Sequence, residues 1–326
     1  MWTFLIKINK RLVVVIPMMM AAGYLAGVLL GADTVKQLKY LIVPFTFLMV
    51  YPMMVTLNIA HLKQGINVPL QLTTQAINFA VIPFLAYGIG LLFFPDQPYM
   101  ALGLLLAALL PTSGMTISWT GFAKGNLGAA INMTVIGLTL GSLATPFYVQ
   151  GLLGAKVEVD FMLVVRQIGI IVFLPMLLGS LTRQWFLKHY GPEEFKKTWA
   201  PRFPSLSTIG VLGIVFVAIA LKAQGLNANP AILGVILVPL LLIYGLNFVL
   251  STLVGKFFFR RGDAIALVYG TVMRNLSIAL AIAINAFGSA GADTALVIAL
   301  SYIVQVQAAA WYVKLTDRIF GPPPSA

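Results

Sequence analysis

The segment Tyr269-Gly270-Thr271-Val272-Met273-Arg274-Asn275-Leu276-Ser277 sets an arginine in the middle of an otherwise apolar run spanning 264–287. A guanidinium at that depth in a bilayer costs at least ~2.5–3.5 kcal/mol on insertion scales, so it needs a cavity or a partner. The nine acidic residues, Asp33, Asp96, Glu158, Asp160, Glu193, Glu194, Asp263, Asp293 and Asp317, all fall in loops or at the ends of apolar runs. The two histidines, His61 and His189, sit at run edges as well. Neither a carboxylate nor an imidazole is therefore placed to neutralise Arg274 or to relay a proton. Backbone carbonyls, amide oxygens or an anion that comes and goes are left to face it. A second run, ending in Leu109-Leu110, is interrupted by Pro111-Thr112-Ser113-Gly114 and then Met115-Thr116-Ile117-Ser118. Proline removes an amide donor, Gly114 loosens the backbone, and the hydroxyls offer replacement partners. An unwound stretch that frees carbonyls and amides is one reading, and a proline kink satisfied by its own hydroxyls is the other. Arg274, Asn275, Thr112, Ser113 and Thr116 form the candidate substrate-binding set.

The elements that carry these residues follow from composition. The chain has 326 residues, 60% apolar and 9% charged, with a mean hydropathy of +0.95. Soluble domains carry about a quarter charged residues, so this is an integral membrane protein, all-α because its apolar runs are helix-length and lack strand alternation. Ten spans are predicted, at 12–31, 38–60, 69–94, 98–120, 127–150, 160–182, 204–224, 229–257, 264–287 and 294–315. The run after Lys7, Lys10 and Arg11 is longer than a signal-peptide core, so it is read as a span. With the N-terminus inside, fifteen of the 21 basic residues fall on the inner face, and Lys36, Lys39, Lys156 and Lys222 on the other. This bias predicts a multi-pass protein of the cytoplasmic membrane with both termini cytoplasmic. The net charge of +12 is thus an insertion signal and gives no separate support to nucleic-acid binding. Arg166 lies one to two turns inside its span, near Asp160, where its side chain can snorkel.

Ten spans divide into two sets of five, residues 1–155 and 156–326, within one integral membrane unit. An odd count inserts the second set upside down. Ile77-Asn78-Phe79 opens a run ending in Phe93-Phe94, and Leu246-Asn247-Phe248 opens one ending in Phe257-Phe258-Phe259; an acidic turn at Asp96 or Asp263 and an interrupted span follow each. Inverted repeats with discontinuous helices in corresponding positions point to a secondary transporter. Other polar residues in the spans, Asn78, Asn132, Thr134, Asn247, Asn285, Gln305 and Gln307, are read first as interhelical hydrogen-bond formers. The methionines are read as adaptable filling, and the lack of cysteine excludes a thiolate metal site or a thiol nucleophile. No intramembrane acid–base pair suggests an enzyme.

Leu110-Pro111-Thr112-Ser113-Gly114, with Trp119-Thr120-Gly121-Phe122-Ala123-Lys124-Gly125-Asn126 after it, resembles the broken helix and A-[KR]-G-[ND] turn of the superfamily of bile acid:sodium symporters and arsenite-efflux carriers. Val272-Met273-Arg274-Asn275 resembles its second crossing helix. The resemblance covers nearly the whole ten-span layout. It implies a core domain in which the fourth and ninth helices cross at unwound centres, and a panel domain that moves against it. Sodium-coupled members have a carboxylate at the position of Gly270 and a glutamine at that of Arg274. Asn78, Thr116, Thr134 and Asn275 match the sodium-binding pattern, whereas Ile117 and Ala130 do not; Asn78, Thr134 and Met273 are candidate cation-site remnants. The guanidinium of Arg274 then stands where relatives bind sodium, a tethered cation that speaks against sodium coupling. Arsenite carriers have a cysteine where this chain has Thr112, and a hydroxyl lacks thiolate affinity for trivalent arsenic.

The expectation is a carrier of a small organic anion working by alternating access, with metalloid efflux as the alternative within the superfamily and a membrane enzyme or channel behind both. The expected partners are a small anionic solute and the lipid bilayer, with no nucleic acid, no obligate protein partner, no metal and no cofactor.

Overall fold

The computed structural model describes residues 2–9, 11–57, 67–157, 160–288 and 290–322. Lys10, His61, Lys63 and Glu158, used above in placing charges, lie outside the described residues. In chain order the helices are α1 Trp2–Asn9, α2 Leu12–Leu29, α3 Ala32–Gln37, α4 Ile42–Thr56, α5 Val68–Ala76, α6 Ile82–Phe93, α7 Pro98–Leu109 and α8 Gly114–Phe122. They continue with α9 Leu127–Tyr148, α10 Phe161–Ile168, α11 Leu174–Glu194, α12 Arg202–Ala228, α13 Ile232–Phe258, α14 Arg261–Val272, α15 Leu276–Ala286 and α16 Gly291–Phe320. Single π-helical turns join α5 to α6 at Ile77–Val81 and α10 to α11 at Gly169–Phe173. Among the described residues, six continuous helical stretches are long and apolar enough to cross a membrane, and four shorter apolar helices accompany them. The protein is a multi-pass, all-α membrane protein.

Capping residues set several starts. The side chains of Asn67, Asn126 and Asp160 accept hydrogen bonds from the amides of Leu70, Ala129 and Leu163, filling donors that a helix start leaves open. Asp160 therefore serves as the cap of α10, and Arg166 is exposed. The span expected to end at 182 runs on to Trp199, turning at Gly191, whose φ of +77° suits a residue without Cβ.

The chain forms two units. The first comprises Met1–Leu57, Val159–Gly234 and Ser277–Ala299. Here α12 packs on α2 and α4, and the contact is close because glycines line it. A Cβ at Gly27 would lie 2.3 Å from the Ala220 carbonyl oxygen, and one at Gly210 would lie 2.4 Å from the Met49 amide. Lipid supplies no hydrophobic drive between helices, so close backbone approach and polar contacts hold them together. The Ser207 hydroxyl supplies one such contact, donating to the Met49 carbonyl.

The second unit comprises Asn58–Glu158, Val235–Leu276 and Leu300–Ala326. Its centre holds α7, buried from Met100 through Leu109, and α14, buried from Ala264 through Val272. Helices apolar all round belong inside a bundle. The turn after α8 is clamped by Arg261: its Nη1 donates to the Lys124 carbonyl, its Nη2 to the Ala123 carbonyl, and Nη2 pairs with Asp317 at 2.6 Å. Asp263 accepts from the side-chain amides of Asn67 and Asn126, so the start of α14, the A-K-G-N turn and the start of α5 are fastened together.

Candidate functional site

Within the second unit α7 stops at Leu109 and the chain runs extended through Pro111, with Thr112 in the left-handed region at φ 65°. The next helix, α8, opens on a capping box: Ser113 Oγ accepts from the Met115 amide, and Thr116 Oγ1 accepts from the Ser113 amide. A second interruption separates α14 from α15 at Met273–Asn275. The two breaks meet. The Thr112 amide donates to the Met273 carbonyl and the Asn275 amide to the Leu110 carbonyl, each at 2.7 Å, with Pro111 and Arg274 paired antiparallel. Both interruptions are thus short extended segments that fill one another's hydrogen bonds, as a non-aqueous core requires.

Four further backbone groups at the second break find side-chain partners. Asn78 Nδ2 donates to the Gly270 carbonyl at 3.0 Å and Asn247 Nδ2 to the Thr271 carbonyl at 2.9 Å. Gln305 holds Arg274 from both sides, accepting from its amide at 2.8 Å and donating to its carbonyl at 3.2 Å. The Tyr244 hydroxyl donates to Gln305 Oε1. Asn78 lies in the π-helical turn, a local widening that recurs at functional sites.

The Arg274 side chain is treated differently from its backbone. The residue is 3% exposed; Nη1 donates to the Ala108 carbonyl at 3.0 Å, and Nη2 is buried without a hydrogen-bond partner among the described residues. A small cavity lined by Arg274, Tyr244, Asn247, Ala108 and Leu104 adjoins it, with room for about one water-sized group. A buried guanidinium that keeps a donor open has the charge and the free N–H with which an anion could pair.

The residues expected at the site therefore gather in one place, with distinct duties. Thr112 Oγ1 donates to the Pro111 carbonyl at 2.6 Å and lies 3.3 Å from the Thr134 carbonyl; Ser113 and Thr116 cap α8. Asn275 and Met273 contribute backbone to the paired breaks. Thr134 Oγ1 donates to the Ala130 carbonyl within its own helix. At Gly270 a Cβ would lie 2.5 Å from Met133 Sδ and 3.3 Å from Thr74 Cγ2, so Met133 occupies the space that a side chain at this position would need. Gln305 and Asn247 were visible in the sequence as polar residues in apolar spans. Tyr244 carried no such signal, because its ring reads as part of the apolar run and its hydroxyl acquires a role only when Gln305 faces it.

Residues 43–229, more than half of the chain, match the family model described as the Sodium Bile acid symporter family. The chain is 27% identical over 236 residues to the uncharacterized protein YbaS of Bacillus subtilis, covering 71% of this chain and 75% of that protein. It is 24% identical over 284 residues to the uncharacterized transporter slr0944 of Synechocystis, covering 80% and 74%. It is 25% identical over 289 residues to the arsenical-resistance protein Acr3 of Alkaliphilus metalliredigens, covering 83% and 80%. Matched over most of its length to such proteins, and carrying paired helix breaks in a polytopic bundle, the chain belongs to the Sodium Bile acid symporter family and is a secondary transporter of the bile-acid and arsenite superfamily.

Proposed function

We propose that the protein carries a small organic anion across the cytoplasmic membrane by alternating access, with Arg274 as a built-in cation in place of a bound sodium ion. The observation that carries this reading is the open Nη2 donor of a buried guanidinium at the meeting of two helix breaks. A charge left half-satisfied in the interior is costly, and an anionic headgroup that enters and leaves offsets that cost during each cycle. The cavity beside Arg274 has room for about one water-sized group in this conformation, so the solute enters when the site opens. Thr112, Ser113 and Thr116 hold the backbone around that headgroup, with Asn275 in the facing strand. Asn78, Thr134 and Met273 are remnants of a cation site whose carboxylate position is occupied by Gly270.

Ten spans with both termini cytoplasmic, arranged as two inverted repeats, fit this mechanism. Each compact unit draws segments from both halves of the chain, as a moving pair of domains built from repeats requires. Asn78 and Asn247, the central residues of the two matching tripeptides, both donate to carbonyls of the ninth span. Metalloid efflux is the second reading, supported by the arsenical-resistance relatives. The engagement of the Thr112 hydroxyl with a backbone carbonyl weighs against it.

Uptake into proteoliposomes tests the proposal. Arg274→Ala is expected to lower anion uptake at least about 100-fold, from loss of ~3 kcal/mol or more of charge-assisted binding, while the protein still inserts and purifies as a monodisperse species. Replacing sodium with potassium is expected to leave wild-type uptake unchanged, and a steep sodium dependence would refute the tethered-cation role.

A further inference from the structure

In the first unit the helical stretch Phe161–Trp199 runs for 39 residues. About 20 helical residues cross the hydrocarbon core of a bilayer, so its second half emerges at a membrane surface. There it bends at Gly191 and packs the π-helical turn Phe195–Trp199 against α11. Aromatic rings hold the bend. The Phe186 ring centre lies 6.0 Å from that of Phe195 and 4.9 Å from that of Trp199, and Tyr190 lies 5.2 Å from Trp199. Phe195 is buried by this packing, whereas Trp185 and Tyr190 stay 50% and 45% exposed.

The bend is basic: Arg183, Lys188, Lys196, Lys197 and Arg202 stand against two acidic residues, Glu193 and Glu194. Its arginines and lysines are used differently. The Arg183 guanidinium stands 5.7 Å from the Phe195 ring centre, and that of Arg202 stands 4.6 Å from Trp199 and 5.5 Å from Trp2, so both are turned to ring faces of the protein. Lys188, Lys196 and Lys197 are exposed and make no ion pair among the described residues. Glu193 and Glu194 fall in the first turn after Gly191, where a helix start favours carboxylates on its own account. Lys188 follows Trp185 by three residues and so shares its side of the helix. Open ammonium groups beside an exposed indole and phenol suit the headgroup layer of a bilayer, where phosphates pair with the ammonium groups and amphipathic rings settle. By the charge bias of the loops this bend faces the cytoplasm.

We propose that this bend is a docking surface for anionic phospholipid, with Lys188, Lys196 and Lys197 pairing with headgroup phosphates, Trp185 and Tyr190 seated among the headgroups, and the first unit thereby anchored to the inner leaflet. The probe is phosphatidylglycerol, added to the purified protein in a non-ionic detergent and read by thermal shift and apparent affinity. Phosphatidylcholine, inorganic phosphate and a polyglutamate peptide are the comparisons. Phosphatidylglycerol is expected to raise the melting temperature, and the other three to leave it unchanged. Lys188→Gln, Lys196→Gln and Lys197→Gln are each expected to weaken lipid binding about fivefold, and the triple variant about 100-fold. The corresponding triple arginine variant keeps the charge and is expected to bind as the wild type does, which separates lost charge from lost fold. Lys124→Gln/Lys256→Gln/Lys314→Gln removes the same charge from the same face and is expected to stay within about twofold of wild type. Equal shifts with phosphatidylcholine, unchanged affinity in the triple glutamine variant at the bend, or equal losses in the two triple glutamine variants would each overturn the surface. A shift produced by inorganic phosphate would assign the lysines to a free anion, and one produced by polyglutamate to an acidic protein segment; either result refutes the lipid assignment.

Discussion

Gln305 satisfies three groups at once: the amide and the carbonyl of Arg274 and the hydroxyl of Tyr244. Its removal leaves all three buried without these partners, and each unsatisfied group costs ~1–3 kcal/mol. Gln305→Ala is therefore expected to lower the melting temperature in detergent more than any single hydroxyl deletion at the breaks, such as Thr134→Val. Asn78→Ala and Asn247→Ala each free one carbonyl of the ninth span. Asn247→Ala is expected to be the more damaging, because Asn247 also accepts from Ser251 Oγ; thermal unfolding of the two variants in parallel checks the order. These residues hold the backbone of the break, whereas Arg274 supplies its charge. That division is why the stability and transport effects of the two groups are expected to separate.

At the scale of elements, the break in the fourth span depends on the helix behind it. A Cβ at Gly141 of α9 would lie 2.7 Å from Pro111 Cδ and 2.9 Å from the Leu109 carbonyl oxygen, and one at Gly137 would lie 2.9 Å from Thr112 Oγ1. Neither proline ring nor backbone can yield cheaply. Gly141→Ala is expected to cost about 1–3 kcal/mol, the range for overpacking a tight core, and to reduce uptake by displacing the paired strands. Gly88→Ala on α6, where a Cβ meets nothing within 4 Å, is the matching control and is expected to leave both melting temperature and uptake unchanged. The comparison tests whether the break is held by packing or only by its own proline.

For the whole molecule, the distribution of basic residues predicts a topology that direct labelling can test. The chain has no native cysteine, so single cysteines can be placed without background. Lys36→Cys and Lys156→Cys are expected to react with an impermeant maleimide added outside intact cells. Lys124→Cys and Lys256→Cys are expected to react only after permeabilisation. Labelling on the opposite faces would reverse the insertion assigned from the loops.

Composition alone determined that the chain lives in lipid, because too few charges remain to solvate a globule of this length. Run length then gave helices, and proline with small hydroxyl residues located the first interruption, since these residue types break a helix wherever they sit. Arg274 stood out for the same local reason: a charge in an apolar run is costly in any arrangement. Only the tertiary structure decided which groups satisfy that charge and the freed backbone. The pairing of Thr112 with Met273 and of Asn275 with Leu110 joins segments some 160 residues apart, and no local pattern encodes a partner at that separation. The same holds for Gln305, an ordinary interhelical amide in the sequence, which becomes the clamp on Arg274 only when α16 brings it to the break. A lone polar side chain signals that a partner is needed, and packing chooses the partner.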